Sequence, residues 1–530
     1  MTSFTLANPQ AIELVPNRSE RIQQALNHLS VQSQESHSPS CLVNDPTTNQ
    51  PIIRVPYMTL NEIDQQISQI SECQSRWSAL SAIQRRLILH DVTQALQTHQ
   101  SYLADLITAE VGKTMSEAQG EVQEVIDVFM KLDELVDQAG GDQPYYYYSA
   151  PSKEPGREAY SVYQQRKPHE VVLIIPAFNF PVAVPGWGIA PALLAGCGIL
   201  VAPSPRTPLA MMGQANVIKQ ALAPHGFYEL IAVCLPTNSD KLILSQHPSI
   251  GCIQFTGSTA MGQTYLSHIH SAHFYKDVIL ELGGNNAVVV DSFDSNDTSY
   301  ITKLVTDIAF GASGTAGQRC TSTRRLFLHE RIASVVTDAL VEFYKHRLVI
   351  GDPFDPNVNV QPLISSDAVT MAINRVATLT STSTGGHCLI GGHAIPADGH
   401  FFVPALITNA SLSAVTNECF APILSIHSFT SIETVLEHIN STRHGLSLGI
   451  YGDIDCFDFF RSHANVGIIN HYTGTSGAEA GFDNVFGGHG LTGGKPGMLG
   501  PMAIHTYCKP VTNGVIGDTK PTQNAQGVRF

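Results

Sequence analysis

Three short segments of the sequence place a reactive side chain beside glycine or proline. Cys320 follows Arg319 in GQRCT, where a neighbouring guanidinium favours the nucleophilic thiolate. Glu281 ends the run DVILE and precedes two glycines, a placement that suits a general base in a crevice. Asn179 in AFNFP follows the apolar run VVLII, where a rigidly held amide can donate to a developing oxyanion. These residues predict a nucleophile, a base and an oxyanion donor.

Each of these residues also has an ordinary structural interpretation. A lone cysteine is more often a small buried hydrophobe than a nucleophile. Glu281 can instead cap a turn or a helix, and Asn179 can form an Asx turn before the proline two residues later. The residue types alone leave these alternatives open.

The segment GSTAMGQT, which begins at Gly257, follows the strand-like run CIQF and opens a predicted helix. It nearly matches a P-loop, but Gln263 replaces the lysine that pairs with the β- and γ-phosphates, and this excludes nucleotide hydrolysis. Gly257 and Ser258, at a helix N-terminus, still offer backbone N–H groups to a pyrophosphate. Taken alone, such a segment is more commonly an ordinary strand–helix turn.

A histidine cluster invites a metal interpretation, which the sequence does not favour. His268, His270 and His273 lack both an HExxH motif and a carboxylate at ligand spacing. With 22 histidines in the chain, such a cluster arises easily by chance. We therefore expect no metal site.

The elements predicted around these motifs are those of an α/β protein. Residues 60–135 carry apolar positions at three- and four-residue spacing, which predicts helices. From residue 171 strand-like runs alternate with helical segments, and a second such stretch begins near residue 286. This alternation favours parallel strands in doubly wound sheets. The residues just before 171 resemble an extended arm.

Composition excludes several classes of function. The 530 residues carry a formal net charge of −15, so a nucleic acid or an anionic membrane is not an expected partner. Residues 171–205 contain no charged side chain, but proline and glycine interrupt the stretch, which favours buried strands over a membrane span. Ten scattered cysteines and the lack of a secretory signal predict a reducing cytoplasm.

The motifs AFNFP, FTGST, ELGGNN, GQRCT and ECFAP, in this order, closely resemble those of the NAD(P)-dependent aldehyde dehydrogenase superfamily. The likeness covers residues 60–530. More specifically, GEVQE at 120–124, TSGAEAG at 475–481 and the C-terminal QGVRF are similar to the antiquitin-type branch, the α-aminoadipic semialdehyde dehydrogenases.

The resemblance implies an aldehyde dehydrogenase-like α/β fold in three parts. Residues 1–148 and 172–285 would form a Rossmann-type cofactor-binding domain with its N-terminal helices. Residues 286–498 would form the second α/β domain, which is the catalytic one. Residues 149–171 and 499–530 would form a small β arm and tail for oligomerisation, which implies a homo-oligomer, either a dimer or a tetramer.

The resemblance also implies a mechanism and its residues. Cys320 would attack the aldehyde, Asn179 would stabilise the oxyanion, and Glu281 would activate water to release the acid from a thioester. Cofactor contacts are implied for Gly257, Ser258, Glu418, Phe420 and Pro205. Substrate contacts are implied for Arg319, Glu124, Thr321, Gly477, Ala478 and Phe178. Arg319 would hold a distal carboxylate, and Glu124 would orient Arg319.

The sequence departs from the superfamily pattern mainly on the cofactor side. Ala202 stands where a lysine usually touches the adenosine ribose, and Pro205 stands where an acid often holds the ribose hydroxyls. Arg206 suits a 2′-phosphate, so NAD is the expected cofactor and NADP stays open. Gly188 also replaces a lysine that many relatives carry near the proton-relay path.

Two alternatives to an aldehyde-oxidising enzyme follow from these residues. Altered cofactor residues suggest a catalytically weak paralogue with a structural or binding role. An acylating enzyme would pass the thioester to coenzyme A, but Glu281 argues against it because a deacylating base favours water.

Overall fold

The computed structural model describes residues 12–32, 39–144, 146–151, 161–271, 275–293, 297–476, 485–493 and 498–516. Its helices are α1 Arg18–His28, α2 Leu60–Ser78, α3 Ala82–Val111, α4 Met115–Met130, α5 Ala183–Ala195, α6 Leu209–Leu222, α7 Asn238–Leu244, α8 Thr259–His270, α9 Thr298–Ser313, α10 Ala333–Arg347, α11 Ser366–Leu379, α12 Ile432–Ser441, α13 Ile454–His463 and α14 Ala503–Thr506. Its strands are β1 Ser40–Asn44, β2 Pro51–Pro56, β3 Tyr146–Pro151, β4 Ser161–Pro168, β5 Val171–Ile175, β6 Gly198–Val201, β7 Ile231–Val233, β8 Ile250–Thr256, β9 Asp277–Glu281, β10 Asn286–Val290, β11 Thr323–His329, β12 His387–Ile390, β13 Ala405–Thr408, β14 Ile423–Phe429, β15 His444–Gly445, β16 Ser447–Tyr451, β17 Ile468–His471, β18 His489–Gly490 and β19 Cys508–Ile516.

Residues 60–135 form the predicted helices, and local sequence defines where two of them begin. Thr59 and Ser81 each close a capping box, in which the side chains of Glu62 and Gln84 return a hydrogen bond to the backbone. The long α3 ends at Gly112, whose φ of 81° a glycine adopts without strain. These helices pack against the first sheet and complete its hydrophobic core.

The first sheet has five parallel strands in the order β7-β6-β5-β8-β9. The uncharged stretch 171–205 supplies β5, α5 and β6, and nearly all of its side chains are buried, because helices cover both faces of a parallel sheet. Among the described residues, no helix combines the length and the apolar character needed to cross a bilayer. The prediction of buried strands within this stretch is confirmed.

The second sheet has seven strands in the order β12-β13-β14-β11-β10-β16-β17. All neighbours are parallel except the edge pair β12 and β13. Two parallel sheets with helical crossovers make this an α/β fold, as predicted from the alternation of strands and helices.

A three-stranded antiparallel sheet, β19-β4-β3, joins the arm to the end of the chain. Its strands start at residues 146, 161 and 508, whereas the arm and tail were predicted at 149–171 and 499–530. Leu499, Ile504 and Tyr507, which precede β19, are buried in the hydrophobic core beside the first sheet.

Candidate active site

Cys320 is positioned by an unusual turn between α9 and β11. Thr315, Ala316 and Gly317 have φ angles of 50°, 50° and 65°, in the left-handed region that ordinary residues rarely adopt. A Cβ added at Gly317 would lie 2.5 Å from the backbone carbonyl carbon of Ala421. The segment therefore passes so close to the backbone of Ala421 that only glycine fits at position 317.

Asn179 and Glu281 lie at the first sheet and face this turn. Asn179 is buried, and its Nδ2 donates to the carbonyl oxygen of Gln318 at 2.8 Å, which leaves its second N–H available. Glu281 ends β9 and is also buried. Asn179 follows β5 and Glu281 ends β9, so the parallel strands bring both residues to the same edge of the first sheet, where Cys320 also lies.

The Glu281 carboxyl has a strongly shifted pKa. Its pKa is raised to about 8, mainly by burial; a hydrogen bond with the Cys320 side chain partly opposes the rise, and the nearby Glu418 adds to it. Its Oε1 is buried, and no described residue bonds to it. A protonatable carboxyl with one unsatisfied oxygen next to a half-buried thiol is suited to moving a proton to and from a small molecule.

A cavity of about 680 Å³ runs along this edge of the first sheet and reaches Cys320. Its size lies within the usual range of cofactor sites. All of the residues predicted for catalysis and cofactor binding line it, together with one residue predicted to contact substrate: Asn179, Glu281, Cys320, Gly257, Ser258, Glu418, Phe420, Pro205 and Phe178.

The Gly257–Ser258 turn fits a pyrophosphate, although not through the N–H of Gly257. That N–H donates to the carbonyl oxygen of Glu281 at 3.0 Å. Ser258 caps α8 by accepting from the N–H of Met261, so the other first-turn N–H groups of α8 remain as donors to an anion. A Cβ at Gly257 would meet the Phe255 ring, so close packing also favours glycine at this position.

The motif ECFAP closes the cavity near Glu281. Glu418 Oε1 accepts from the N–H of Gly284 at 3.2 Å, and a Cβ at Gly283 would overlap the other oxygen of Glu418. The ring of Phe420 lies 5.9 Å from that of Phe178 in an edge-to-face contact. A carboxylate held on glycine backbone, beside two aromatic rings, fits a ribose and a flat nicotinamide ring.

Arg319 forms an ion pair with Glu117, a residue that the sequence motifs did not include, and its orientation by Glu124 stays a prediction. Arg319 Nη2 pairs with Glu117 Oε1 at 2.7 Å, and its Nε donates to Thr315 Oγ1 at 2.8 Å. Glu124 lies two turns further along α4 and is half-buried. Sequence reasoning missed Glu117, although its seven-residue spacing from Glu124 places both on one helix face.

Thr321, which was also predicted to contact substrate, lies two residues after Arg319. The guanidinium of Arg319 is within 5.4 Å of the Phe180 ring centre and 5.0 Å of the Phe310 ring centre. Ser476 Oγ donates to the carbonyl oxygen of Thr321 at 3.0 Å. Gly477 and Ala478, which follow Ser476, lie outside the described residues.

A second buried ion pair holds the segment AFNFP against α4. Lys113 Nζ lies 2.6 Å from Glu121 Oε2 and 3.3 Å from the centre of the Phe180 ring. Glu121 Oε1 accepts from the N–H groups of Val182 and Ala183 at the start of α5. Burial lowers the pKa of the Lys113 ammonium. This network holds the backbone just after Phe180, and Asn179 is the residue just before Phe180. The network therefore helps to keep the Asn179 amide in place.

Gly188, where many relatives carry a lysine, has a structural explanation in its close contact with Gln254. A Cβ at Gly188 would overlap Gln254, whose Oε1 accepts from the Tyr507 hydroxyl at 2.8 Å. The space beside Gly188 is therefore filled by this pair.

His268 and His270 lie in α8, whereas His273 is outside the described residues. No group of three potential metal ligands occurs in the described parts of the chain.

Comparisons with known proteins agree with this geometry. The sequence model of the aldehyde dehydrogenase family matches residues 32–512. The chain belongs to the aldehyde dehydrogenase family. The mouse protein named alpha-aminoadipic semialdehyde dehydrogenase is 34% identical over 492 residues, which cover 92% of this chain and 87% of the mouse protein. The predicted family resemblance is confirmed.

Solved structures of aldehyde dehydrogenases and a related enzyme share the fold. An E. coli NADP dependent enzyme is 26% identical with a TM-score of 0.81, over 90% of this chain and 95% of that one. Betaine aldehyde dehydrogenase from Staphylococcus aureus, solved with NAD+, is 22% identical with a TM-score of 0.84, over 95% and 99%. As an aldehyde dehydrogenase, this protein is an oxidoreductase that oxidises aldehydes with NAD(P). A purely structural role is not favoured.

Proposed function

We propose that this aldehyde dehydrogenase oxidises a semialdehyde that carries a carboxylate at its far end, with α-aminoadipic semialdehyde as the leading candidate. The observation that carries the proposal is the guanidinium of Arg319, held almost fully buried by Glu117 one residue before the cysteine. An arginine fixed in this way binds a carboxylate with defined geometry. The name of the mouse relative supports the same substrate class.

The face of α4 that holds Glu117 supports an amino-acid semialdehyde in particular. Glu117 and Glu124 stand on one face of the helix, and Arg319 meets this face. Arg319 offers donors to the substrate carboxylate, while the half-buried Glu124 offers oxygens to an α-ammonium group. Thr321, Gly477 and Ala478 complete the proposed substrate site, and Phe178 lies at its boundary with the cofactor cavity.

In the proposed reaction Cys320 Sγ attacks the aldehyde carbon and forms a thiohemiacetal. The oxyanion accepts hydrogen bonds from the free N–H of Asn179 and from the Cys320 backbone N–H. When bound, the nicotinamide cofactor would supply the acceptor for the hydride whose loss converts the thiohemiacetal into a thioester. Glu281 then takes a proton from the water that attacks the thioester, which releases the acid and returns the thiol. Gly257, Ser258, Glu418, Phe420 and Pro205 would hold the cofactor.

An aldehyde panel with both cofactors tests the proposal. α-Aminoadipic, glutamic, succinic and betaine aldehydes are compared with an apolar aldehyde by the absorbance of reduced nicotinamide. We expect the carboxylated aldehydes to have the highest kcat/KM and Arg319→Ala to lower it only for them. If the apolar aldehyde is the best substrate and Arg319→Ala leaves its rate unchanged, the carboxylate site is wrong.

The nucleophile is tested by a matched pair of cysteine variants. Cys320→Ala removes the thiol at the end of the cavity, whereas Cys388→Ala removes a half-buried thiol on β12, at the edge of the other sheet. We expect only the first to abolish oxidation. Acyl-coenzyme A formation without free acid would instead support the acylating alternative.

The assembly and compartment of the protein are part of the same proposal. The β19-β4-β3 arm supports a homo-oligomer, a dimer or tetramer, in which arms from different subunits pair. Ten free cysteines support a reducing cytoplasm. Light scattering coupled to gel filtration measures the oligomer, and a monomeric mass would contradict it.

A further inference from the structure

Lys241 is a buried cation that the sequence motifs do not include. It lies on α7, which follows β7, and only 5% of its surface is exposed. Its Nζ donates to the carbonyl oxygen of Pro203 at 2.5 Å. An ammonium group has three N–H donors, so two remain for a ligand. Lys241 lines the same cavity that reaches Cys320.

Lys241 has no carboxylate partner among the described residues. Asp240, its neighbour on α7, is bonded to Thr237. The titratable groups that act on the ammonium are the thiols of Cys234 and Cys41, and burial raises the pKa of both, so they are neutral at pH 7. A buried ammonium without a counter-ion is costly. A bound anion would supply the missing charge.

The cavity is divided electrostatically. The carboxylates that line it, Glu281 and Glu418, both lie at the Cys320 end. At the other end the lining is Ser204, Pro205, Arg206, Asn238 and Lys241, which together carry two cations and no acid. The order β7-β6-β5-β8-β9 places Lys241 beyond β6, on the opposite side of β5 from Glu281.

We infer that Lys241, with Arg206, binds the 2′-phosphate of an adenosine ribose, so that this aldehyde dehydrogenase prefers NADP to NAD. A dinucleotide with its nicotinamide at Cys320 and its pyrophosphate at the start of α8 would extend its adenosine towards β6 and β7, where Lys241 and Arg206 line the cavity. A ribose hydroxyl leaves the ammonium without a counter-charge, whereas a phosphate dianion neutralises it. The inference rests on the proposed use of this cavity by the cofactor. Lys241 would also supply a cation to a cofactor site in which Ala202 replaces the usual lysine of the superfamily.

Calorimetric titration with adenosine fragments tests this without any turnover. The probes are 2′,5′-ADP and 5′-ADP, which differ in the 2′-phosphate, followed by NADP+ and NAD+. In the wild type we expect each 2′-phosphorylated ligand to bind at least about tenfold more tightly than its partner, the scale of one charge-assisted hydrogen bond. Lys241→Gln should reduce this ratio to near one. Lys276→Gln, which changes another partly buried lysine outside the cavity, should leave it intact.

A pH series on the wild type keeps the test independent of how well the variant folds. Burial lowers the pKa of Lys241 to about 8, so the ammonium loses its charge as the pH rises through that value. We expect the affinity for 2′,5′-ADP to fall above pH 8 and Lys241→Arg, which stays charged, to remove most of that fall.

The outcomes separate this inference from the proposed function. Equal loss of affinity for both fragments in Lys241→Gln, or an unchanged ratio, overturns the 2′-phosphate site while aldehyde oxidation stands. Tighter binding of NAD+ than NADP+ by the wild type also overturns it. If neither dinucleotide binds and no aldehyde is oxidised, the proposed use of the cavity fails as well.

Discussion

Glu117 and Arg319 form a nearly buried ion pair in which Arg319 Nη2 donates to Glu117 Oε1 at 2.7 Å. The same carboxylate oxygen also accepts from the backbone N–H of Thr315 at 2.8 Å and from its hydroxyl at 3.0 Å. One oxygen on α4 therefore holds both the left-handed turn before Cys320 and the guanidinium beside it. A change at Glu117 should therefore affect both the stability of this turn and the binding of a carboxylated substrate by Arg319.

Glu117→Gln should destabilise the protein and weaken the binding of carboxylated substrates. The change removes the carboxylate charge that pairs with the nearly buried guanidinium of Arg319, which costs about 3 kcal/mol. We expect a lower melting temperature and a raised KM for α-aminoadipic semialdehyde. Glu124→Gln should raise that KM with a smaller effect on melting, because Glu124 does not hold the turn. Equal melting losses in both variants would contradict this division.

The stability contributed by Glu117 should depend on pH. Burial raises the pKa of Glu117, but the nearby Arg319 and Lys113 outweigh it and hold the pKa below its ordinary value. The contribution is therefore present above about pH 4.3, the ordinary pKa of glutamate, and is lost as the pH falls through the lowered value. Melting temperatures of the wild type and Glu117→Gln should converge in acid. A constant difference down to pH 3 would contradict the linkage.

Acid release should accelerate with pH through the pKa of Glu281. Since burial raises that pKa to about 8, most of the enzyme carries a protonated Glu281 at pH 7, and the base form appears above it. We expect single-turnover deacylation to rise between pH 6 and 9. Glu281→Gln should abolish the rise and accumulate the thioester after one burst of reduced nicotinamide. A flat profile in the wild type would exclude Glu281 as the base.

Asn179→Ala should lower kcat and leave KM nearly unchanged. Loss of one oxyanion donor costs about 10²- to 10³-fold in kcat in other enzymes. Asn357→Ala, an exposed loop variant, serves as the control. If the loss in kcat/KM came entirely from KM, Asn179 would be a substrate-binding residue instead.

Two glycine variants should have opposite effects on stability. Gly317→Ala forces a side chain into the left-handed region and against Ala421, at a cost of at least about 1–2 kcal/mol. Gly120→Ala, on the exposed face of α4, meets nothing within 4 Å, so it should stabilise the helix by about 0.5–1 kcal/mol. Calorimetric melting measures both, and activity should fall only in Gly317→Ala. Full activity in that variant would mean that the turn tolerates movement.

The local features of this protein were predictable because they depend on neighbours in the sequence. Apolar spacing predicted the helices within residues 60–135, and the alternation of strands and helices predicted parallel sheets. The ordered motifs predicted the family, which the comparisons confirm. The roles of Cys320, Glu281 and Asn179 stay predictions, although the structure brings these residues to one cavity.

Which charges meet around that cavity was decided only by tertiary structure. The ion pair of Glu117 with Arg319 could not be predicted from sequence, because it depends on how α4 packs against the turn at residue 315. Lys241 comes from a helix after β7, and no short motif joins it to Cys320. Parallel strands bring residues from distant segments to one edge, and the strand order, which no local pattern encodes, decides which of them become neighbours.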